Sequence, residues 1–415
     1  MKKHYLIVFF LFVLGSQSYS QQFVLQEDPM LQKFYEQNNQ QLFWFTSNKN
    51  IRRARVWLKV VSTSNVYQSI TTKLAFEKMQ TALDHKNMID SVYKMEIDRQ
   101  ITWLVLSYIK YQQEGIKLFD YDEVAVKRDS VYIDQLNQST IVQQLSKYEC
   151  KDPAYVLLKN YLADSITIKD TLKYKAIQLA MNYRLYFTIN HQSEYIVVNV
   201  LSAEAEYYKN DKLVLGMRVV VGQKANPTPL FASYITSLVT FAYWNVPQSI
   251  AVKELIPKVQ KNKNYLEQNS FEVVDAKGTE VDDSELHWKE YTENNFPYFF
   301  RQSTGGDNAL GVLKFNLKNP YSVFLHATSN QAVFTRTNRF LSHGCIRLEK
   351  PFELANAVLE NKLNIEELKT AKKDTESNTI QLPHKIPTYI IYMPIQIVNN
   401  RLIFLFDEYG LIKGF

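Results

Sequence analysis

Cysteine is nearly absent from this sequence: 415 residues hold only Cys150 and Cys345. In an exported protein such a pair would ordinarily suggest one disulfide. Here Cys150 precedes the Asp152-Pro153 helix start and reads instead as a buried small hydrophobe, the usual state of a free cysteine, while Cys345 stands in a turn with histidine beside it. Runs of Lys and Arg are absent as well, so nothing suggests a nucleic-acid partner. After the first twenty residues no segment is apolar enough for a bilayer span, which takes about 20 apolar residues. No lipobox cysteine is present. The seven histidines do not gather with other ligand types; His287 and His384 lack ligand-like spacing to the rest. A zinc site draws three or four protein ligands, so neither a metal nor any other cofactor is expected.

What remains is an ordinary globular composition, 46% apolar and 22% charged, and a length suited to two or three folding units. The opening MKKHYLIVFFLFVLGSQSYS has a basic start, an apolar run from Tyr5 to Leu14 and small residues at Ser18 and Ser20. This is the layout of a secretory signal peptide (1–20), with cleavage expected before Gln21 and an uncleaved anchor as the other outcome. The chain is therefore expected to be exported, to the periplasm. The formal charge of +6 includes Lys2 and Lys3, so the mature balance is nearer 6 − 2 = +4. That suits an anionic cell-wall polymer without requiring one.

Residues 21–190 read as helical and 191–415 as largely β, an α+β organisation. Ile97, Ile101, Leu104, Tyr108 and Tyr111 keep three- and four-residue spacing, which predicts one apolar helix face ending near Gly115. Asp152 with Pro153 predicts an N-cap and first turn, and Thr171 opens a helix carrying Leu172, Ala176, Leu179 and Tyr183. This half holds no cluster of reactive side chains and reads as a packed scaffold. Beyond Asn190 the text turns to short β-branched runs: 195–201, 214–221, 235–243, 311–317, 321–326, 388–393 and 402–407. Asn399-Asn400 is a tight-hairpin turn between the last two. Such strands predict a β-sandwich or a partly closed barrel. Between them, 246–306 reads as an insertion. Ile250 to Leu266 suggests a helix broken by Pro257, and Trp288, Tyr291, Phe296, Tyr298, Phe299 and Phe300 precede Gly305-Gly306. Dense aromatics favour a core over a ligand platform; a long insertion ending in two glycines also has the form of a lid.

The chemistry concentrates in HATSNQAVFTRTNRFLSHGCIR, His326 to Arg347. A thiol attacks well only when a neighbour takes or balances its proton, and imidazole does that best at neutral pH. Cys345 is the candidate nucleophile and His326, closing an apolar run, the candidate base. Ser342-His343-Gly344 can turn the backbone N–H groups of Gly344 and Cys345 toward a carbonyl oxygen, an oxyanion hole in which glycine permits close approach. His343 could touch substrate, stabilise the thiolate or brace the turn. Arg347 either grips a substrate carboxylate in a bidentate fork or pairs with Glu349. Tyr243, Trp244 and Asn245 line a cleft or, the reading preferred, belong to the core. The next helix begins only at Pro351, so a helix dipole is not invoked for the thiol.

The pattern VFLH, then SHGCIR with the cysteine 345 − 326 = 19 positions after the histidine, resembles the active-site signature of the L,D-transpeptidase (YkuD-type) family. PTPLF, YWNVPQSIA and LSHGCIRLEKP extend the similarity to its large periplasmic, YcbB-like branch. The resemblance implies a helical scaffold, a capping subdomain in the insertion and a histidine whose second ring nitrogen is held by a backbone carbonyl. Ala327 follows the histidine where relatives show Gly or Asp, a change a carbonyl-based contact tolerates. No peptidoglycan-binding module is seen, so substrate holding falls to the catalytic half or the scaffold. The implied reaction joins peptidoglycan tetrapeptide stems by 3-3 cross-links through a Cys345 thioester, releasing D-alanine, with carbapenems as better inhibitors than penicillins. An L,D-carboxypeptidase, an enzyme attaching a protein lysine to the wall, and a non-catalytic wall-binding scaffold are the other readings.

Overall fold

The computed structural model describes residues 28–63, 70–126, 149–163, 170–305, 307–360, 363–370 and 375–412. The leader expectation and Gly306 lie outside them. Among the described residues no helix is long and apolar enough to cross a membrane.

The first half is helical: α1 (Pro29–Gln37), α2 (Asn48–Thr63), α3 (Ile70–Asp84), α4 (Ser91–Glu114), α5 (Pro153–Ala163) and α6 (Thr171–Ile189). All five residues of the predicted stripe on α4 are buried, and Gly115 ends that helix at φ +68, a conformation that costs glycine little. Asp152 accepts the N–H of Tyr155 at 2.7 Å and so caps α5. Helix α6 opens at Thr171 as expected, capped by Asp170, and Leu172 proves exposed while Ala176, Leu179 and Tyr183 are buried. The first turn of a helix has one side facing away from any partner, and Leu172 falls on it.

Asp98, fully buried on α4, organises the N-terminal core. Its carboxylate accepts the Tyr35 hydroxyl and the backbone N–H groups of Phe43, Trp44 and Phe45. Burial still holds its pKa above the usual carboxylate range. Asp98→Ala would strand these donors in a dry core, and a loss of about 3 kcal/mol is expected in chemical denaturation of the helical unit.

From Glu194 the chain becomes a sheet. Strands β1 (Glu194–Asn199), β2 (Glu204–Lys209), β3 (Lys212–Gly222) and β4 (Phe231–Thr240) precede the insertion. Strands β9 (Leu313–Leu317), β10 (Leu325–His326), β11 (Phe340–Ser342), β12 (Ile346–Leu348) and β13 (Asn378–Ile391) follow it. Their order is β11-β3-β12-β10-β9-β4-β13-β1-β2, and β2 also pairs with β3. Eight of the strands thereby close into a ring, so the sandwich-or-barrel alternative resolves to a barrel, with β11 attached to β3 outside the ring. Asn399 and Asn400, both at positive φ, turn β14 (Ile395–Val398) into β15 (Arg401–Phe404).

Secondary structure changes near residue 190, yet the cores divide elsewhere. Tyr111, Cys150 and the apolar faces of α5 and α6 share one core with the barrel, while α1 to the first part of α4 form another. Cys150 is buried and unpaired, with Thr188 Oγ1 at 3.4 Å.

The insertion carries its own small sheet, β5 (Trp244–Asn245), β8 (Phe299–Gln302), β6 (Phe271–Val274) and β7 (Glu280–Val281), in that order. Phe296 and Phe300 are buried in its core with Trp288, Tyr291 and Tyr298 packed around them, whereas Phe299 is exposed. Pro257 does not break the helical passage. A π-helical turn at Ala251–Leu255 leads into Ile256–Lys261 with the proline in its first turn, where no N–H is needed.

Candidate active site

Alternation along three neighbouring strands builds the site. Leu313, Phe315, Leu325, Ile346 and Leu348 point into the barrel core, so the residues between them, Lys314, His326 and Arg347, share the opposite face. Their registers coincide: His326 lies opposite Lys314 on β9 and opposite Arg347 on β12. One transverse row thus reads cation, imidazole, cation, with the outer two Cα atoms about 10 Å apart. Cys345 comes immediately before β12, level with Phe324, whose carbonyl accepts the Ile346 N–H at 3.1 Å.

His326 is 4% exposed, and its Nδ1 lies 2.6 Å from the carbonyl of Ala327. A carbonyl only accepts, so Nδ1 carries the proton and Nε2 keeps its lone pair. The carbonyl beside the histidine is therefore the orienting group, a contact made by the Ala327 backbone. Gly311 backs this arrangement: its φ is +61, and a Cβ there would come within 2.7 Å of Ala327 Cβ and 2.8 Å of the Thr328 nitrogen. Burial lowers the His326 pKa to about 3, assisted by Arg347 and by Lys314 and opposed by the carbonyls of Ala327 and Leu310. The imidazole is neutral at any ordinary pH.

Cys345 is partly buried and free. Burial raises its pKa, against the lowering effects of the Phe324 backbone, Lys314 and Arg347. Its Sγ lies 3.8 Å from the Ser322 carbonyl, and among the described residues no hydrogen bond joins it to His326. With the thiol's pKa raised and the imidazole's lowered, both groups rest uncharged at neutral pH. Ser322 itself has φ +56, a strained backbone for a serine.

The nucleophile turn is held from within and from beneath. Ser342 Oγ donates to the Cys345 carbonyl at 2.6 Å and accepts the Gly344 N–H at 3.1 Å. Gly344 sits at φ +115, where any Cβ would be strained. This corrects the expected oxyanion hole: the Gly344 N–H is committed to Ser342 and does not point freely at substrate. The Cys345 N–H, with no acceptor among the described residues, is the donor left for that role. Ser342→Ala removes both turn contacts, and a roughly tenfold fall in acylation rate with little change in melting temperature is expected.

Thr228, within PTPLF, donates through Oγ1 to the Gly344 carbonyl at 2.8 Å and accepts the Gly222 N–H at 2.8 Å. Tyr409 then bonds the Gly222 carbonyl and the Thr228 nitrogen. Neither Thr228 nor Tyr409 was singled out in the sequence as part of the site. The motif match at PTPLF was the available signal for the first; nothing local marked the second.

His343 is exposed and places Nε2 at 2.6 Å from Glu254 Oε1, on the π turn of the insertion. It therefore braces the turn against the insertion. The alternative pairing of Arg347 with Glu349 is corrected: Glu349 binds Arg218 through side chain and backbone. Arg347 has a buried Nε without a partner, and burial lowers its pKa. Tyr243 is exposed beneath the Arg301 guanidinium, not in the core; Trp244 packs against the insertion. Among the described residues no three His, Cys, Asp or Glu side chains gather as a metal site.

A thiol, an imidazole of fixed tautomer and a free backbone N–H are the parts of a cysteine acyl-transfer centre. Residues 193–371 match the family model of the L,D-transpeptidase catalytic domain, and residues 29–162 that of the scaffold domain. The second half of the chain is thus similar to L,D-transpeptidase catalytic domains, and the first half to the scaffold domain. It is 35% identical over 236 residues to a putative L,D-transpeptidase of Haemophilus influenzae, covering 56% of this chain and 47% of that protein. It thus spans about half the length of that curated relative. Among solved structures, an Enterococcus faecium L,D-transpeptidase mutant is 14% identical with TM-score 0.22, over 49% of this chain and 51% of its own. An L,D-transpeptidase from Mycobacterium smegmatis is 11% identical with TM-score 0.23, over 48% and 58% respectively.

Proposed function

We propose that this protein is an exported, periplasmic peptidoglycan L,D-transpeptidase that forms 3-3 cross-links between tetrapeptide stems through a cysteine thioester. The observation that carries this is the single row Lys314, His326, Arg347 beside Cys345, with the His326 Nδ1 proton fixed on the Ala327 carbonyl.

In this mechanism Cys345 Sγ adds to the carbonyl at the L-centre of the third stem residue as its proton passes to His326 Nε2. The tetrahedral oxyanion takes the Cys345 N–H. Protonated His326 then gives that proton to the amide nitrogen, the C–N bond breaks, and D-alanine departs, leaving the thioester. The side-chain amine of a second stem adds to the thioester carbonyl, giving its proton to His326. Collapse breaks the C–S bond, the new amide forms, and the thiolate recovers the proton. The thioester keeps the acyl group activated, so no cofactor is needed. Arg347, a guanidinium with no carboxylate partner among the described residues, suits a substrate carboxylate in a bidentate grip.

The test is incubation of residues 21–415 with disaccharide-tetrapeptide and mass spectrometry of the products. Cross-linked dimer with free D-alanine supports the proposal. Tripeptide alone would mean that water is the acceptor, and unchanged substrate would remove the enzymatic reading.

A further inference from the structure

Lys314 has no carboxylate counterion among the described residues, a state it shares with Arg347 in the same row, whereas several cations elsewhere in this half have theirs. On the same half of the chain Lys318 pairs with Glu123 at 2.7 Å, Arg301 with Glu272 at 2.7 Å, and Arg218 with Glu349. The Lys314 Nζ rests 4.4 Å from the centroid of the Phe324 ring, a cation–π contact, and Cys345 also favours its charge. A half-buried ammonium held without an acid is costly, and an arriving anion would relieve that cost.

Position decides which anion. The sheet runs β12, β10, β9, so the imidazole strand lies between the cysteine strand and Lys314. In acyl transfer the imidazole that took the thiol proton gives it to the leaving nitrogen, so the leaving group must lie on the imidazole side of the sulfur. The residue leaving from a stem terminus bears its carboxylate just beyond that nitrogen. Continuing the row past His326 brings it to Lys314, while Arg347, on the cysteine's own strand, faces the acyl side.

Resting on the L,D-transpeptidase reading above, we infer that Lys314 is the receptor for the free α-carboxylate of the donor's departing residue. It confines the enzyme to donors whose scissile bond is the last of the peptide. An internal peptide bond, or a terminus blocked as an amide, offers no anion at that point.

The experiment compares two donors, disaccharide-tetrapeptide with a free C-terminus and the same compound as its carboxamide, on wild type, Lys314→Met and Lys314→Arg. Wild type should favour the carboxylate donor in kcat/KM by roughly 30-fold. Lys314→Met should lose that preference, chiefly through KM for the carboxylate donor, with any fall in kcat shared by both donors, and Lys314→Arg should restore most of the preference. Equal use of both donors by wild type overturns the inference without any variant. So does an equal loss on both donors in Lys314→Met, which would mark Lys314 as a support for the thiolate. In either of those cases turnover by wild type leaves the transpeptidase reading intact; a wild type that acylates on neither donor overturns both together.

Discussion

Replacing Cys345 by alanine should abolish acylation, with kcat/KM falling at least about a thousandfold, the scale seen when a catalytic nucleophile is removed. No other thiol can substitute, because Cys150 is buried in the core shared by α5, α6 and the barrel. The fold should survive, since the turn is held by Ser342, Thr228 and the Gly344 backbone, not by the sulfur. Cys345→Ser should fare little better than alanine. Burial already raises the thiol's pKa, and a hydroxyl in the same place is far harder to deprotonate. Two readouts separate the outcomes: the intact mass of the protein after exposure to a carbapenem, and D-alanine release from tetrapeptide. An adduct persisting in Cys345→Ala would move the nucleophile elsewhere. Normal melting with no adduct would place the whole loss in chemistry.

Much of this arrangement was readable before any coordinates, for reasons that differ by residue. The α4 stripe was legible because a half-buried helix writes its burial into three- and four-residue spacing, as Ile97, Ile101, Leu104, Tyr108 and Tyr111 do. Cys345 and His326 were legible because reactive side chains are rare in this chain and the surrounding words match a known signature. The row of Lys314, His326 and Arg347 was not, since strand register across β9, β10 and β12 is set by long-range pairing, which no local window contains. For the same reason Glu349, one of the two partners open to Arg347 in the sequence, belongs in space to Arg218. The short strands β10, β11 and β12 carry too few residues for alternation to show. Ser342 was placed in the turn, but that its hydroxyl consumes the Gly344 N–H depends on turn geometry that composition does not encode. Tyr409 reaches the site from the far end of the chain.

Substituting His326 by glutamine should cost between about a hundredfold and ten-thousandfold in kcat/KM, the range for a positioned general base. It should also alter two pH dependences in ways a merely structural residue would not. In wild type the ring is neutral down to about pH 3. An acid limb of kcat/KM near 6.5, the ordinary imidazole value, should therefore be missing, and activity should decline only toward the low end. A limb near 6.5 would show that the imidazole titrates as if solvated, contradicting its burial between two cations. Stability carries the same signature. The folded-state pKa lies below the unfolded one, so between the two values the unfolded chain binds the extra proton. The stability this group contributes is complete above about pH 6.5 and drains away as pH falls toward 3, by about 1.4 kcal/mol per unit at most. Chemical denaturation at pH 7 and pH 5 should show wild type losing about 2 kcal/mol more than His326→Gln, whose side chain takes up no proton. Parallel losses in the two proteins would mean that some other group governs acid sensitivity. The depressed basicity has a kinetic meaning too: a weak base at rest becomes a strong acid once protonated, suited to handing its proton to the poor leaving nitrogen of an amide.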